Sequence, residues 1–255
     1  MRELYRYRDL IKHLIGRELK VRYRRSAIGF LWTMLQPLLT LLVLHVVFSN
    51  IFRFEVKGYS VYALSGIVFW NFFSQGIVSS MNSLKTHAYI LQKVPVPLAV
   101  FPLTTVLSGL VNLLFALVPL LALVIVTGHG MSPAILFLPV AIVVVVIFTL
   151  GAGLMLSPLA VFFSDVVELV SVVLTMLYFL TPIFYPKEIV SGHSWYWIVR
   201  YNPVRSILEV FRDPIFLMKI PPVTHFAVAL LLSLVALALG SFVFSRLSAR
   251  IPFHV

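Results

Sequence analysis

Long apolar runs alternate with short polar breaks along this chain, and the runs are too continuous for a core that alternates with a wet surface. Six of them fall at residues 28–52, 62–81, 98–126, 133–163, 166–180 and 223–244. A helix needs about 20 apolar residues to cross a bilayer, so the pattern predicts an all-α membrane protein with six transmembrane helices. The third and fourth runs exceed that length, so they tilt, bend or emerge into water. Pro37 marks an expected kink in the first. The second is the most polar, interrupted by Ser65, Asn71, Ser74, Gln75, Ser79 and Ser80. Such a helix is expected to face protein or a water-filled path rather than lipid.

The segments between the runs differ in kind. Residues 1–27 carry helical periodicity, with Leu4, Tyr7, Ile11, Leu14 and Ile15 on one face and Arg6, Asp9, Lys12 and His13 on the other. This predicts an amphipathic helix in the cytoplasmic interface, its basic side toward anionic headgroups or a partner; a solvated basic arm is the alternative. Residues 82–97 form a basic loop with Lys85, His87 and Lys93, closed by Pro95 and Pro97. Residues 127–130 make a tight turn, and Ser164 and Asp165 make another. Residues 181–222 hold six prolines, Trp195, Trp197 and eight charges, too apolar for a free loop and too broken for a span. Short re-entrant helices at the outer leaflet are expected there, before the last span.

Composition sharpens this picture. The chain is 60% hydrophobic and 11% charged over 255 residues, against about 25% charged in soluble domains. The net charge of +11 would suggest nucleic acid in a soluble protein, but nine of the 20 Lys and Arg precede Ile28. A basic flank before a first span is a topology signal, so no nucleic-acid partner is expected. With six spans and both termini in the cytoplasm, 13 basic residues lie inside and seven outside, five of those in the long 181–222 segment that weighs least. The chain has no cysteine, which removes disulfides, thiolate metal sites and thiol nucleophiles.

The missing chemistry narrows the function further. The chain has no phosphate-binding G-x-x-x-x-G-K-[ST] loop, so it is not expected to bind ATP by itself. All nine acidic residues lie outside the central parts of the runs, which argues against ion-coupled carriers. No acids cluster to hold a metal on a diphosphate, and no metal site is expected. His45 is the one ionisable side chain well inside a run, either a relay or a neutral group bonded to a neighbouring helix. The reading is a passage whose engine lies elsewhere.

The stretch from Arg17 through Arg22, Tyr23, Arg24, Arg25, Gly29 and Trp32 to Gln36-Pro37-Leu38 resembles the opening of polysaccharide-export permeases. These are type-2 ABC exporter membrane subunits for O-antigen, capsule or teichoic acid. The likeness continues in Leu180-Thr181-Pro182-Ile183-Phe184-Tyr185-Pro186 and Tyr201-Asn202-Pro203, and in the size and six-span plan of the whole chain. It departs at Ser164-Asp165, where the family commonly has Arg-Asp.

The resemblance implies two copies of the chain forming a channel for a lipid-linked glycan. Each copy would bind a separate ABC ATPase, two per complex, with ATP and Mg on that partner and no cofactor here. It implies that the N-terminal helix, with Arg17, Lys20, Arg22, Arg24 and Arg25, contacts the ATPase. The loop carrying Leu84, Lys85, His87, Tyr89, Ile90 and Leu91 is similar to the coupling helix that enters an ATPase cleft. Its Tyr89-Ile90-Leu91 cluster would be wasted in an ordinary basic loop. Residues 182–220 resemble the outer gate, with Pro182, Phe184, Tyr185 and Pro186 at its mouth.

Aromatic residues make up 14% of the chain. Trp32, Phe69, Trp70, Phe73 and Tyr178 are candidates for a channel wall, because sugar rings slide over aromatic faces; a lipid-interface belt is the alternative for each. A drug or small-lipophile exporter with a greasy lateral pocket is the rival within the superfamily. An integral-membrane enzyme acting on lipid-linked sugars is the rival from another class.

Overall fold

The computed structural model of the chain describes residues 7–24, 28–47, 58–93 and 96–251. The expectations for Leu4, Arg6, Arg25 and Pro95, and for the side chains of His45, Leu91 and Lys93, lie outside the described residues. The described residues are helical almost throughout. In chain order they form α1 (Arg8–Tyr23), a 3₁₀ turn (Gly29–Leu31), α2 (Trp32–Val47), α3 (Tyr59–Thr86), α4 (Ala88–Lys93) and α5 (Val100–Val126). A second 3₁₀ turn (Pro133–Phe137) leads to α6 (Leu138–Phe162) and α7 (Asp165–Leu180), then the short α8 (Lys187–Val190) and α9 (Tyr196–Arg200), α10 (Pro203–Phe216) and α11 (Val223–Ser248).

Four helical segments are long and apolar enough to span a bilayer: Tyr59–Thr86, Val100–Val126, Pro133–Phe162 and Val223–Ser248. At 1.5 Å per residue the 28 residues of α3 extend about 42 Å, longer than the hydrocarbon core, so both ends emerge from it. α2 and α7, at the first and fifth expected spans, have 16 residues each.

Burial sorts the spanning helices. Of α3's apolar window 78% is buried, against 17% for α11. The most polar span is therefore the central one, wrapped by α5, α6, α10 and α2, while α11 packs on α6 and α10 at the periphery. α6 and α11 cross where Gly151 meets Ala236 and Gly240, so closely that a Cβ on Gly240 would strike the Gly151 carbonyl oxygen. In lipid the gain from association is close packing, and small residues at a crossing provide it.

α1 lies at one end of this bundle. Ile11 and Leu14 are buried there against Leu84, Phe101, Val161, Phe244 and Ile251, the ends of α3, α5, α6 and α11. The apolar stripe read from the sequence thus packs on protein, and Lys12, Arg17, Lys20, Arg22 and Arg24 stay exposed.

The opposite end is closed by the 181–222 segment. Pro182 forces the residue before it out of the helical region, and α7 ends at Thr181 with extended backbone (φ −96°, ψ 133°). α10 begins on a cap: the Asn202 side chain accepts from the Val204 N–H at 2.9 Å, with Pro203 in the first turn. α10 buries nine of its 14 residues, including Ile207, Leu208, Phe211 and Ile215, against α3, α6 and α11. The break at 181–183 is buried, whereas residues 191–195 and the turn at 217–220 are largely exposed.

Candidate functional site

α3 presents Asn71, Ser74, Gln75, Val78 and Ser79 at helical spacing, so they share one face. α2 contributes Thr40 beside them, and α7 contributes Ser171, Leu174, Thr175 and Tyr178. Together with Ile67 and Trp70 they line a groove of about 510 Å³. None of its lining residues is charged. Four of the hydroxyls donate to the carbonyl four residues back in their own helix: Thr40 to Gln36, Ser74 to Trp70, Ser171 to Val167 and Thr175 to Ser171. Their oxygens remain able to accept, and the Asn71 and Gln75 amides make no hydrogen bond to other described residues. The surface of the groove is wettable and its own lining is neutral.

A series of aromatic rings continues the wall toward the end opposite α1. Trp70 and Tyr178 face each other with centroids 5.4 Å apart, Tyr178 meets Phe184 at 5.6 Å, and Phe184 meets Tyr185 at 5.3 Å. Phe69 and Phe73 lie behind this wall in the core, Phe69 against Phe211 and Phe73 stacked on Phe148. Trp32 is exposed at the start of α2 and does not line the groove.

Where that series ends, residues 181–186 are strapped by their backbone carbonyls. Arg212, buried on α10, donates through Nη1 to the Pro182 carbonyl (2.7 Å), through Nη2 to the Ile183 carbonyl (2.8 Å), and through Nε to Ser65 Oγ (3.3 Å). Its guanidinium also sits 3.8 Å from the Tyr62 ring centroid, a cation–π contact. The Tyr62 hydroxyl reaches the Pro182 and Tyr185 carbonyls at 3.0 and 2.9 Å, and Tyr59 donates to the Phe184 carbonyl at 3.0 Å. Asn202 donates to Thr181 Oγ1 at 2.9 Å, and the Tyr185 hydroxyl donates to the Phe179 carbonyl at 2.8 Å. Gly66 is required here, because a Cβ would collide with Arg212 Nη2 and the Ile183 carbonyl. Pro182, Phe184, Tyr185 and Pro186 therefore belong to one rigid loop, with Phe184, Tyr185 and Pro186 half-exposed. Of the strap's donors, Tyr185 and Asn202 stand in motifs read from the sequence, whereas Arg212 and Tyr59 were not singled out there. The signal for Arg212 was present: it lies four residues after Leu208, on the apolar face formed by Val204, Ile207, Leu208, Phe211 and Ile215.

Charges flank the strap. Glu209 pairs with Arg205 (3.0 Å) and Lys187 (3.4 Å), tying α8 to α10. Burial, and then Glu209, push the Asp213 carboxyl up to about 6, against the opposite pull of His225, Lys187 and Arg212. The Tyr185 hydroxyl is raised to about 12, chiefly by burial.

At the α1 end, the turn into α4 has a buried and an exposed side. Leu84 is fully buried, and His87 is stacked on Phe101 with Nδ1 2.9 Å from the Ser83 carbonyl. Ile90 packs on the cluster under α1, while Lys85 and Tyr89 (68% exposed) project outward. Arg17, Lys20 and Arg24 line a shallow basic concavity on α1 with Lys12 and His13. Arg22 instead borders a narrow crevice with Gln36, Asn71, Gln75 and Asn112, beside a Tyr23 hydroxyl that donates to Asn112 Oδ1 at 3.0 Å. Ser164 donates to Asp165 Oδ1 at 3.1 Å.

Over 245 residues the chain is 30% identical to "O-antigen export system permease protein RfbA" of Myxococcus xanthus, covering 96% of this chain and 94% of that protein. It is 27% identical to the Klebsiella pneumoniae protein of the same name, covering 95% and 93%. It is 24% identical over 212 residues to "Polysialic acid transport protein KpsM" of Escherichia coli, covering 80% of each chain. The pattern of the ABC-2 type transporter family matches residues 9–216, from the start of α1 to the end of α10, and the chain belongs to that family of membrane permeases.

Proposed function

We propose that this chain is the membrane subunit of an ATP-driven exporter that moves a lipid-linked polysaccharide, of O-antigen, capsule or teichoic acid type, across the bacterial inner membrane. The observation that carries this reading is the uncharged, hydroxyl- and amide-lined groove walled by Trp70 and Tyr178. A long hydrophilic polymer needs many weak, replaceable contacts and aromatic faces to slide over; a charged or deeply hydrogen-bonding site would hold it. The names of the relatives support the same cargo class.

In this reading two copies face each other, so that the groove of each protomer becomes half of a closed path. α2 and α7 complete six spans, both termini are cytoplasmic, and the strapped loop at 181–186 lies at the periplasmic mouth. α8 to α10 form the outer gate. α1 and the exposed Lys85 and Tyr89 face a separate ABC ATPase, two per complex, which holds ATP and Mg. The test is co-purification with that ATPase and analysis of the glycan retained when the pair is deleted. Accumulation of a lipid-linked polysaccharide on the cytoplasmic side is the expected result. Normal surface glycan in the deletion strain would refute the proposal.

A further inference from the structure

The end of the bundle opposite α1 holds a second cavity, about 150 Å³, that shares no residue with the groove. Its walls are Arg200 at the end of α9, Arg205, Ser206 and Glu209 on α10, and His225 and Val228 in the first turns of α11. It is large enough to hold several waters or a small polar group.

Its charge is positive. Glu209 is matched by both Arg205 and Lys187, and Arg200 has no carboxylate within ion-pair reach among the described residues, only the Tyr201 ring 5.9 Å away. The other acid facing this region, Asp213, is set against Arg212, His225 and Lys187.

The surroundings say what kind of anion fits. Trp197 on α9 and Tyr201 just after it are largely exposed, as aromatic side chains are at the headgroup level of a bilayer. Below the cavity, Val228, Leu231, Val235 and Leu239 run down one exposed side of α11, an apolar track directly under the basic pocket. The cavity lies on α10 and α11, whereas the groove is built from α2, α3 and α7, so its occupant comes from the surrounding leaflet and not from the conduit.

We infer that Arg200, Arg205, Ser206 and His225 bind the headgroup phosphate of an anionic glycerophospholipid, whose acyl chains lie along Val228, Val235 and Leu239. The site anchors the 181–222 segment to the leaflet at the end where the strap sits. The inference rests on membrane insertion alone and stands apart from the identity of the cargo.

The test is native mass spectrometry of the purified full chain titrated with dihexanoyl phosphatidylglycerol, dihexanoyl phosphatidylcholine and farnesyl phosphate. The wild type is expected to take up one phosphatidylglycerol at a concentration at least tenfold below that for phosphatidylcholine. The Arg200→Gln/His225→Gln double variant, changed only at exposed positions, is expected to need at least tenfold more phosphatidylglycerol and to melt at the wild-type temperature. Ser206→Asp, which sets a carboxylate in the cavity, is expected to give the same loss if the double variant melts early. Equal phosphatidylglycerol uptake by wild type and Ser206→Asp, or equal binding of the two glycerophospholipids, overturns the site. Farnesyl phosphate binding more tightly than phosphatidylglycerol, and being lost in the same variants, overturns the assignment to a glycerophospholipid and gives the pocket to an isoprenoid anchor.

Discussion

Replacing Arg212 with Met separates the strap's chemistry from its packing. Met is long enough to fill the guanidinium's stem space, yet it donates nothing. Two bonds from a charged donor to the Pro182 and Ile183 carbonyls disappear, each contributing about 1.5–3 kcal/mol. The Pro182 carbonyl keeps Tyr62, and Ser65 still donates to the Tyr62 carbonyl at 2.8 Å. The buried Ile183 carbonyl is left without that donor, which costs about 1–3 kcal/mol within the same total. Against this, a cation no longer has to be held out of water, a relief of several kcal/mol. The two effects largely offset, and the net destabilisation expected is about 2 kcal/mol, a few degrees in detergent unfolding.

The local effect is larger than the global one, because the two shortest of the three lost bonds converge on residues 182 and 183. A single cysteine at 185, in a chain with none of its own, is expected to react several-fold faster with a membrane-impermeant thiol reagent in the Arg212→Met background. Arg212→Lys is expected to behave like Met in this assay, because one ammonium cannot bridge two carbonyls and a ring face as a planar guanidinium does. Unchanged labelling rates and unchanged unfolding in both variants would refute the strap.

Four further outcomes follow from the same geometry. Gly240→Leu is expected to prevent the α6–α11 crossing and to cost more than the usual 1–3 kcal/mol of overpacking, since backbone stands in the way; Gly192→Ala, in open space, is the neutral control, both read by detergent unfolding. Tyr89→Asp is expected to weaken ATPase co-purification with unchanged melting, whereas Ile90→Asp also lowers the melting temperature because Ile90 packs under α1. Phe184→Ala/Tyr185→Ala is expected to raise resting ion leak in proteoliposomes while the ATPase complex still assembles; an unchanged leak removes these rings from the gate. Asp213 has a folded pKa of about 6, above its ordinary 3.8, so its stabilising contribution is present at low pH and is lost as pH rises through about 6. Asp213→Asn is expected to flatten the stability profile between pH 4 and 7 and to gain at neutral pH at most about 3 kcal/mol, less the solvent screening of this partly exposed group, measured as unfolding temperature against pH.

Period and composition made much of the scaffold legible. An apolar run in a charge-poor chain has one stable form in lipid, because a helix satisfies every backbone group within its own segment. That is why residues 98–126 and 133–163 match α5 and the Pro133–Phe162 segment to within two residues at each end. The polar series in α3 was legible for the same reason. Amides and hydroxyls recurring at i, i+3, i+4 and i+8 share a face, and that face could not look into lipid. The stripe of Tyr7, Ile11, Leu14 and Ile15 likewise announced an amphipathic α1.

Periodicity carries no information about which helix a face meets. Phe69, Trp70 and Phe73 are near neighbours in the chain, yet only the packing of α10 and α6 puts Phe69 and Phe73 in the core and leaves Trp70 on the groove. The same holds for α1, whose apolar side found the ends of four helices rather than lipid alone. The strap is the clearest case. Arg212 on α10 and Tyr62 and Tyr59 on α3 are far apart in the chain, and they converge on residues 182–185 because those carbonyls, freed from helix by Pro182, must find donors; Asn202, the cap of α10, holds the Thr181 hydroxyl. Local propensity decided that the helix stops at Thr181; only tertiary structure decided which side chains hold the broken backbone in place.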